Sequence, residues 1–318
     1  MNRFISFNNH FLYEGFKEGI GLKNQKHYSL QKSNNLNGWI FIALPTALIV
    51  LFSFYPMIQS LYLSFQKGIG IVYEFNGLGN YRRLFSDPMF LDAIKNTLIY
   101  LVVQVPVMLF LGLVLASMLN IPSLKYRDFF RTAIFLPCVT SLVAYSVLFK
   151  SLFSLDGVIN KALMSISVIS EPIPWLMDPF WAKVVIILAI TWRWTGYNMM
   201  FYLAAMQNID TSIYEAAEID GASKIAQFTK ITVPLLKPII LFTTILSTNG
   251  TLQLFDEVVN ITGGGPGNST VTISQYIYNL SFAYTPNFGY AATVSYAIVF
   301  MVAVLAFIQF RVAGDGNE

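Results

Sequence analysis

Charge is scarce in this sequence. Only 12% of the 318 residues are Asp, Glu, Lys or Arg, while 55% are hydrophobic and the mean hydropathy is +0.57. A soluble domain carries about 25% charged residues, so a chain this poor in charge cannot cover a water-facing surface of its size. The composition points to an all-α membrane protein. Cysteine is nearly absent: Cys138 stands alone in an apolar run, which excludes an internal disulfide and a cysteine metal site. The two histidines, His10 and His27, both lie near the start, leaving the apolar body without histidine and arguing against zinc or haem chemistry. There is no GxxxxGK[ST] loop, so the chain has no phosphate cradle of that kind and no ATPase site built on it.

What is present is a set of six long apolar runs, at about 39–65, 97–119, 132–152, 184–205, 235–255 and 290–310. Each has the ~20 residues that cross ~30 Å of hydrocarbon, which predicts six transmembrane helices. Pro45, Pro56, Pro106 and Pro137 fall inside them, either as kinks around a cavity or as ordinary membrane prolines whose freed carbonyls find neighbours. Residues 1–38 are polar and lack an apolar core of signal-peptide length. Phe11, Leu12, Phe16 and Ile20 form one apolar stripe if that tail is helical, and the alternative is a loosely ordered tail. No internal repeat and no second soluble domain is visible.

Basic residues set the orientation. Arg3, Lys17, Lys23, Lys26 and Lys32 precede the first run, Lys125, Arg127 and Arg131 lie between the second and third, and Lys224 and Lys230 lie between the fourth and fifth. The opposite side has Lys67, Arg82, Arg83, Lys95, Lys161 and Lys183, while the long loop 256–289 has neither Lys nor Arg. This asymmetry predicts cytoplasmic termini, 1–38 and 312–318, and a cytoplasmic loop around Glu215. On the outer side, 80–85 and 88–95 read as short helices lying on the membrane, and Glu171-Pro172-Ile173-Pro174-Trp175 as an interfacial turn with an aromatic anchor.

Three polar stretches interrupt the apolar pattern. The first is Glu215-Ala216-Ala217-Glu218-Ile219-Asp220-Gly221, followed by Ile231-Thr232-Val233-Pro234. Gly221 suits a helix C-terminus, Ser223 an N-cap for a short helix over 224–230, and Pro234 the first turn of the next span. The reading is a helix–turn–helix knuckle with a small Ala-Ala-Gly face, supported by buried Ala217, Ile219 and Phe228 and offering acidic side chains to a partner's cations. The alternative is a plain solvated link.

The second stretch is Thr191-Trp192-Arg193-Trp194-Thr195-Gly196-Tyr197-Asn198, inside the fourth run. A mid-span arginine must face protein or water. It either lines a cavity, with Asn198 bonding hydroxyls and Trp192, Trp194 or Tyr197 stacking on a sugar ring, or it is a structural arginine held by carbonyls and packed by aromatics. Asn249, Gln253, Asp256 and Glu257 are further, weaker cavity candidates. The third stretch is 263–270, where Gly264, Gly265 and Pro266 make a tight external turn, either a contact for an external protein or a simple connection. Asn268-Ser269-Thr270 also fits a glycosylation sequon.

The pattern Glu-Ala-Ala, three residues, Gly, nine residues, Ile-x-Leu-Pro is the mark of permease subunits of bacterial binding-protein-dependent ABC importers. This sequence matches it at Glu215, Ala216, Ala217, Gly221, Ile231 and Pro234, with Val233 in place of leucine. Ala204-Ala205-Met206-Gln207-Asn208-Ile209, Pro234-Leu235-Leu236-Lys237-Pro238 and Thr262 through Thr270 resemble the carbohydrate-uptake branch. The resemblance spans residues 90–311. It implies a type I importer (MetI-like) transmembrane domain there, with 39–65 as an added first helix. It implies that Glu215, Ala216, Ala217, Asp220 and Gly221 couple the spans to two ATPase subunits, which bind the ATP and Mg. It further implies a second similar permease, an external solute-binding protein, a carbohydrate cargo, a lipid surround and no nucleic acid. The competing readings are an ABC-importer permease for a non-sugar solute, a secondary transporter or channel working alone, which would show related halves and broken mid-membrane helices, and a non-transporting membrane receptor or anchor.

Overall fold

The computed structural model describes residues 30–69 and 72–314; the apolar stripe foreseen at Phe11–Ile20 lies outside them. The chain divides into two compact units, Met1–Ile58 and Gln59–Glu318.

The first unit holds α1 (Leu30–Ile49), a π-helical turn (Val50–Phe54) and the start of α2 (Tyr55–Ser64). Pro56 lacks the N–H that would bond four residues back, and the backbone widens just before it, with Tyr55 N–H donating to the Val50 carbonyl. The same device recurs at Pro234, behind the π turn Phe228–Thr232, where Val233 N–H donates to the Phe228 carbonyl.

The second unit contains the rest. A two-stranded antiparallel hairpin, β1 (Gln66–Ile69) and β2 (Val72–Phe75), follows α2. It departs from the all-α expectation. Next come α3 (Gly79–Leu84) and α4 (Pro88–Leu119). Asp87 caps α4, accepting from the Met89 and Phe90 amides at 3.0 and 3.4 Å. The separate surface helix foreseen at 88–95 is therefore the first turns of the long α4, for Pro88 at its start costs no hydrogen bond.

The third apolar run is two helices, not one: α5 (Arg127–Val139) and α6 (Leu142–Leu152) meet at 99°. Pro137 and the extended Thr140 stop the first, and hydropathy alone does not register such a break. After α7 (Val158–Ser165), α8 (Pro179–Met206) runs for 28 residues. Trp175 is buried, not a lipid anchor: its Nε1 donates to Asn160 Oδ1 at 2.8 Å, and its ring meets Trp181 and Phe153 edge-on.

α9 (Thr211–Ile219) and α10 (Lys224–Gln227) form the knuckle, and α11 (Val233–Leu235) joins α12 (Lys237–Leu252) through a second bend, of 71°. Short α13 (Asp256–Ile261) and α14 (Ile273–Tyr278) precede the last long helix, α15 (Phe288–Gly314). Three helices, Gly38–Ser64, Pro88–Leu119 and Phe288–Val312, are long and apolar enough to cross a bilayer, and five spans result if each bent pair counts as one. The polar stretch in α8 keeps that helix outside this set.

Glycines bring backbones together where the bundle needs it. A methyl on Gly196 of α8 would sit 2.1 Å from the Ile134 carbonyl of α5, and one on Gly112 of α4 would sit 3.2 Å from Asn198 Cβ. On the outer side Asp87 gathers several elements. Its Oδ2 accepts from the Tyr276 and Tyr290 hydroxyls, both at 2.6 Å, while Arg83 lies 3.9 Å over the Tyr290 ring. Burial opposes ionisation of Asp87, but these hydroxyls and the two amides together hold its carboxyl below the usual carboxylate range.

Candidate functional site

The knuckle forms as the local sequence dictates. Asp210 caps α9 by accepting from Ser212 N–H at 2.9 Å, and that bond, joined by one from the Ser212 hydroxyl, lowers its pKa. α9 ends in a Schellman turn: Ala222 N–H donates to the Ala217 carbonyl at 2.8 Å and Gly221 N–H to Glu218 at 3.1 Å, with Gly221 at φ +80°. Ser223 Oγ then accepts from Ala226 N–H at 3.3 Å to start α10, which stops at Gln227 and passes into the π turn.

Two polar ties fasten the knuckle. The Tyr214 hydroxyl meets Thr232 Oγ1 at 2.9 Å, and buried Gln227 donates to the Ala222 carbonyl at 3.2 Å. Phe228 packs on the cluster built around Leu113, Met199, Tyr202 and Leu236. Ala217 is half-buried, but Ile219 is 86% exposed, not buried as the sequence suggested. The α9–Gly221 segment is one short turned unit, and Ile219 falls on its outer side. Glu215, Ala216, Asp220 and Gly221 are exposed, whereas Glu218 pairs with Lys224 at 3.0 Å.

Between the helices lies a cavity of about 530 Å³, lined by Gln104, Met108, Leu142, Ile190, Trp194, Tyr197, Asn198, Ser247, Gly250, Thr251, Gln253, Asp256 and Glu257, among others. Its polar groups are ordered by each other. Thr251 Oγ1 donates to Gln104 Oε1 at 3.0 Å, Asn198 Nδ2 to the Trp194 carbonyl at 3.1 Å, and Gln253 Nε2 to Asn249 Oδ1 at 2.7 Å. The Trp194 and Tyr197 rings stand edge-to-face, 5.7 Å apart. An open groove of about 630 Å³ nearby takes Asn249 and Gln253 with residues of α14 and α15.

The sequence-derived pathway residues therefore separate. Trp194, Tyr197, Asn198 and Gln253 line the cavity, and Asn249 lines the groove. Trp192, 44% exposed, packs against Tyr145 and Phe149 and lines neither. Arg193 takes its structural reading. It is 5% exposed and donates to the carbonyls of Pro137, Thr140 and Cys138 at 3.3, 2.9 and 3.2 Å, with Tyr145 and Trp194 rings around it. It caps the broken C-terminal end of α5, where a cation suits the helix dipole.

The loop 263–270 is folded tightly. Thr262 and Thr270 hydroxyls meet at 2.8 Å, and Asn96 of α4 donates to the carbonyls of Asn268 and Val271 at 3.2 and 3.0 Å. Gly264 is buried, and a side chain there would strike Val271 and Gln275. Only Gly265 and Pro266 of the foreseen contact set are partly open. Sequence reasoning passed over Gln104 and Thr251, because a paired glutamine and threonine carry no motif.

These features define a polytopic helical membrane protein with a knuckle between its fourth and fifth apolar segments. The chain belongs to the family of binding-protein-dependent transport system inner membrane components, whose model matches residues 90–314. It is 62% identical over 289 residues to the lactose transport system permease protein LacF of Rhizobium radiobacter, covering 90% of this chain and 97% of that one. It is 31% identical to the arabinooligosaccharides transport system permease protein AraP of Halalkalibacterium halodurans, covering 92% of each. A crystal structure of bacterial alginate ABC transporter in complex with alginate pentasaccharide-bound periplasmic protein includes a chain that superposes with a TM-score of 0.73 at 26% identity, over 89% of this chain and 95% of that one.

Proposed function

We propose that this chain is the permease subunit of an ATP-driven carbohydrate importer, pairing with a second permease and coupling the pathway to two ATPase subunits. The observation that carries the reading is the knuckle. A short helix with a small, exposed face, closed by a Schellman glycine and tied to the bundle by Tyr214–Thr232 and Phe228, is a rigid projection. Seated in a cleft of an ATPase subunit, it converts closure of the ATPase pair into rigid-body motion of the spans. ATP shifts the inward–outward balance only through its differential affinity for the two states.

In this reading α8 is the sixth span. Its 28 residues reach about 42 Å at ~1.5 Å each, and its polar stretch is turned to protein and cavity. Both termini and the knuckle face the cytoplasm, residues 90–311 form the importer domain, and Gly265 and Pro266 are open to a periplasmic solute-binding protein. The lactose and arabinooligosaccharide permeases among its relatives support a sugar cargo. Trp194, Tyr197, Asn198, Gln253 and Gln104 supply the ring faces and hydrogen bonds that a sugar needs.

The test is Gly221→Asp. A side chain at φ +80° strains the turn, although nothing lies within 4 Å to clash with it. The variant is expected to insert and assemble, yet to lose ATP-driven sugar uptake in proteoliposomes. Wild-type uptake in that variant would remove the coupling role.

A further inference from the structure

The cavity carries a charge pattern that the importer reading does not use. Two carboxylates, Asp256 and Glu257, are among its lining residues, and no lysine or arginine is. Glu257 is only 4% exposed. A carboxylate so buried normally has a cationic partner, because an isolated buried charge is costly. Among the described residues the ion pairs join Lys67 to Glu74, Arg127 and Arg131 to Asp128, and Lys224 to Glu218; none reaches Glu257. The nearby arginine, Arg193, directs its two terminal nitrogens to the carbonyls of Pro137, Cys138 and Thr140, leaves its Nε–H without a partner, and forms no ion pair with Glu257. The neighbour of Glu257 on the protein side is Tyr145, 2% exposed, whose hydroxyl lies beside the carboxyl group. This part of the wall is a buried acceptor without a balancing cation, beside the indole and phenol rings of Trp194 and Tyr197.

We infer that Glu257 is a specificity-determining residue: it accepts a hydrogen bond from a cargo hydroxyl and turns anionic sugars away, so that the cavity takes neutral saccharides. This rests on the carbohydrate-importer reading and narrows it. A neutral polyol offers O–H donors, and a carboxylate acceptor makes charge-assisted bonds stronger than neutral ones. A uronate or sugar phosphate brings a second negative charge into a pocket of low dielectric that has no cation to receive it, where like charges repel far more than in water. Specificity of this kind comes from the repulsive element as much as the attractive one.

The experiment uses the intact complex in proteoliposomes: both permeases, the ATPase subunits and the solute-binding protein. ATP-driven uptake of a neutral disaccharide and of its uronic-acid counterpart is measured for wild type, Glu257→Gln and Glu257→Asp. The wild type is expected to carry the neutral sugar and discriminate against the acidic one. Glu257→Gln keeps the shape and removes the charge; it is expected to lower neutral-sugar kcat/KM about tenfold to a hundredfold and to narrow the discrimination. Glu257→Asp, retaining the charge, is expected to restore part of both. ATP turnover without sugar, and co-purification of all subunits, check that each variant is assembled. Equal transport of the two sugars by wild type, or unchanged kinetics and discrimination in Glu257→Gln, would overturn the assignment. Absence of uptake of either sugar by the wild-type complex would overturn the importer reading itself, and this assignment with it.

Discussion

The break between α5 and α6 and the break between α11 and α12 both interrupt apolar runs, yet they are held by different means. At the first, a 99° elbow, one buried guanidinium reaches three exposed carbonyl ends, and the α8 backbone presses on α5 at Gly196. At the second, a 71° bend, the backbone stays hydrogen-bonded across the joint, with Leu236 N–H donating to Thr232 at 3.0 Å and Ile240 N–H to Leu236 at 2.9 Å. No charged side chain ties it among the described residues; it leans on buried Leu236 and the Tyr214–Thr232 hydroxyl pair. The first is a clamped corner beside the cavity. The second is a lightly tied joint beside the knuckle.

The contrast can be broken by substitution. The largest effect is expected for Arg193→Met, which strands the α5 carbonyls in an apolar setting. Each unsatisfied carbonyl costs about 1–3 kcal/mol, so the loss is expected to be at least about 3 kcal/mol, read as a lower melting temperature of the purified complex. Asp87→Ala, which touches neither break, provides a reference on the outer side. Losing a helix cap and two hydroxyl bonds is expected to cost about 2 kcal/mol. Because the folded state holds that carboxyl below its ordinary value near ~4, its contribution is complete above that value. It is lost as pH falls through the lowered one. Melting measured against pH should therefore decline less steeply on the acid side in Asp87→Ala. The smallest effect is expected for Tyr214→Phe, about 1 kcal/mol. Its signature is a rise in ATP turnover uncoupled from uptake, with little change in melting. If Tyr214→Phe proved as damaging to melting as Arg193→Met, the distinction between corner and joint would fail.

The parts of this architecture that were legible in the sequence are those built from neighbours along the chain. Gly221 and Ser223 announce their caps because a cap is satisfied within a few residues. The long apolar runs announce themselves by length. The elbow did not, since Thr140 and Ser141 barely dent the hydropathy of the run. Nor did the partners of Arg193, which lie 53 to 56 residues away, so its two readings stayed level until the carbonyls could be placed. The hairpin is not legible because Val72-Tyr73-Glu74-Phe75 has no clean two-residue alternation, and four-residue strands are too short to stand out beside long helices. Ile219 was misplaced because an apolar residue in a polar loop suggests burial inside the same chain, and here it faces outward.

The π turn at Phe228–Thr232 sets the azimuth of everything after it. Deleting one residue there, so that the chain wound on as ordinary α-helix, would rotate the following segment by roughly 100° and draw it back by about 1.5 Å. Ser247, Gly250 and Thr251 would then swing off the wall they now form. The widened turn works as a phase setting, and the length of this stretch matters as much as the identity of its side chains.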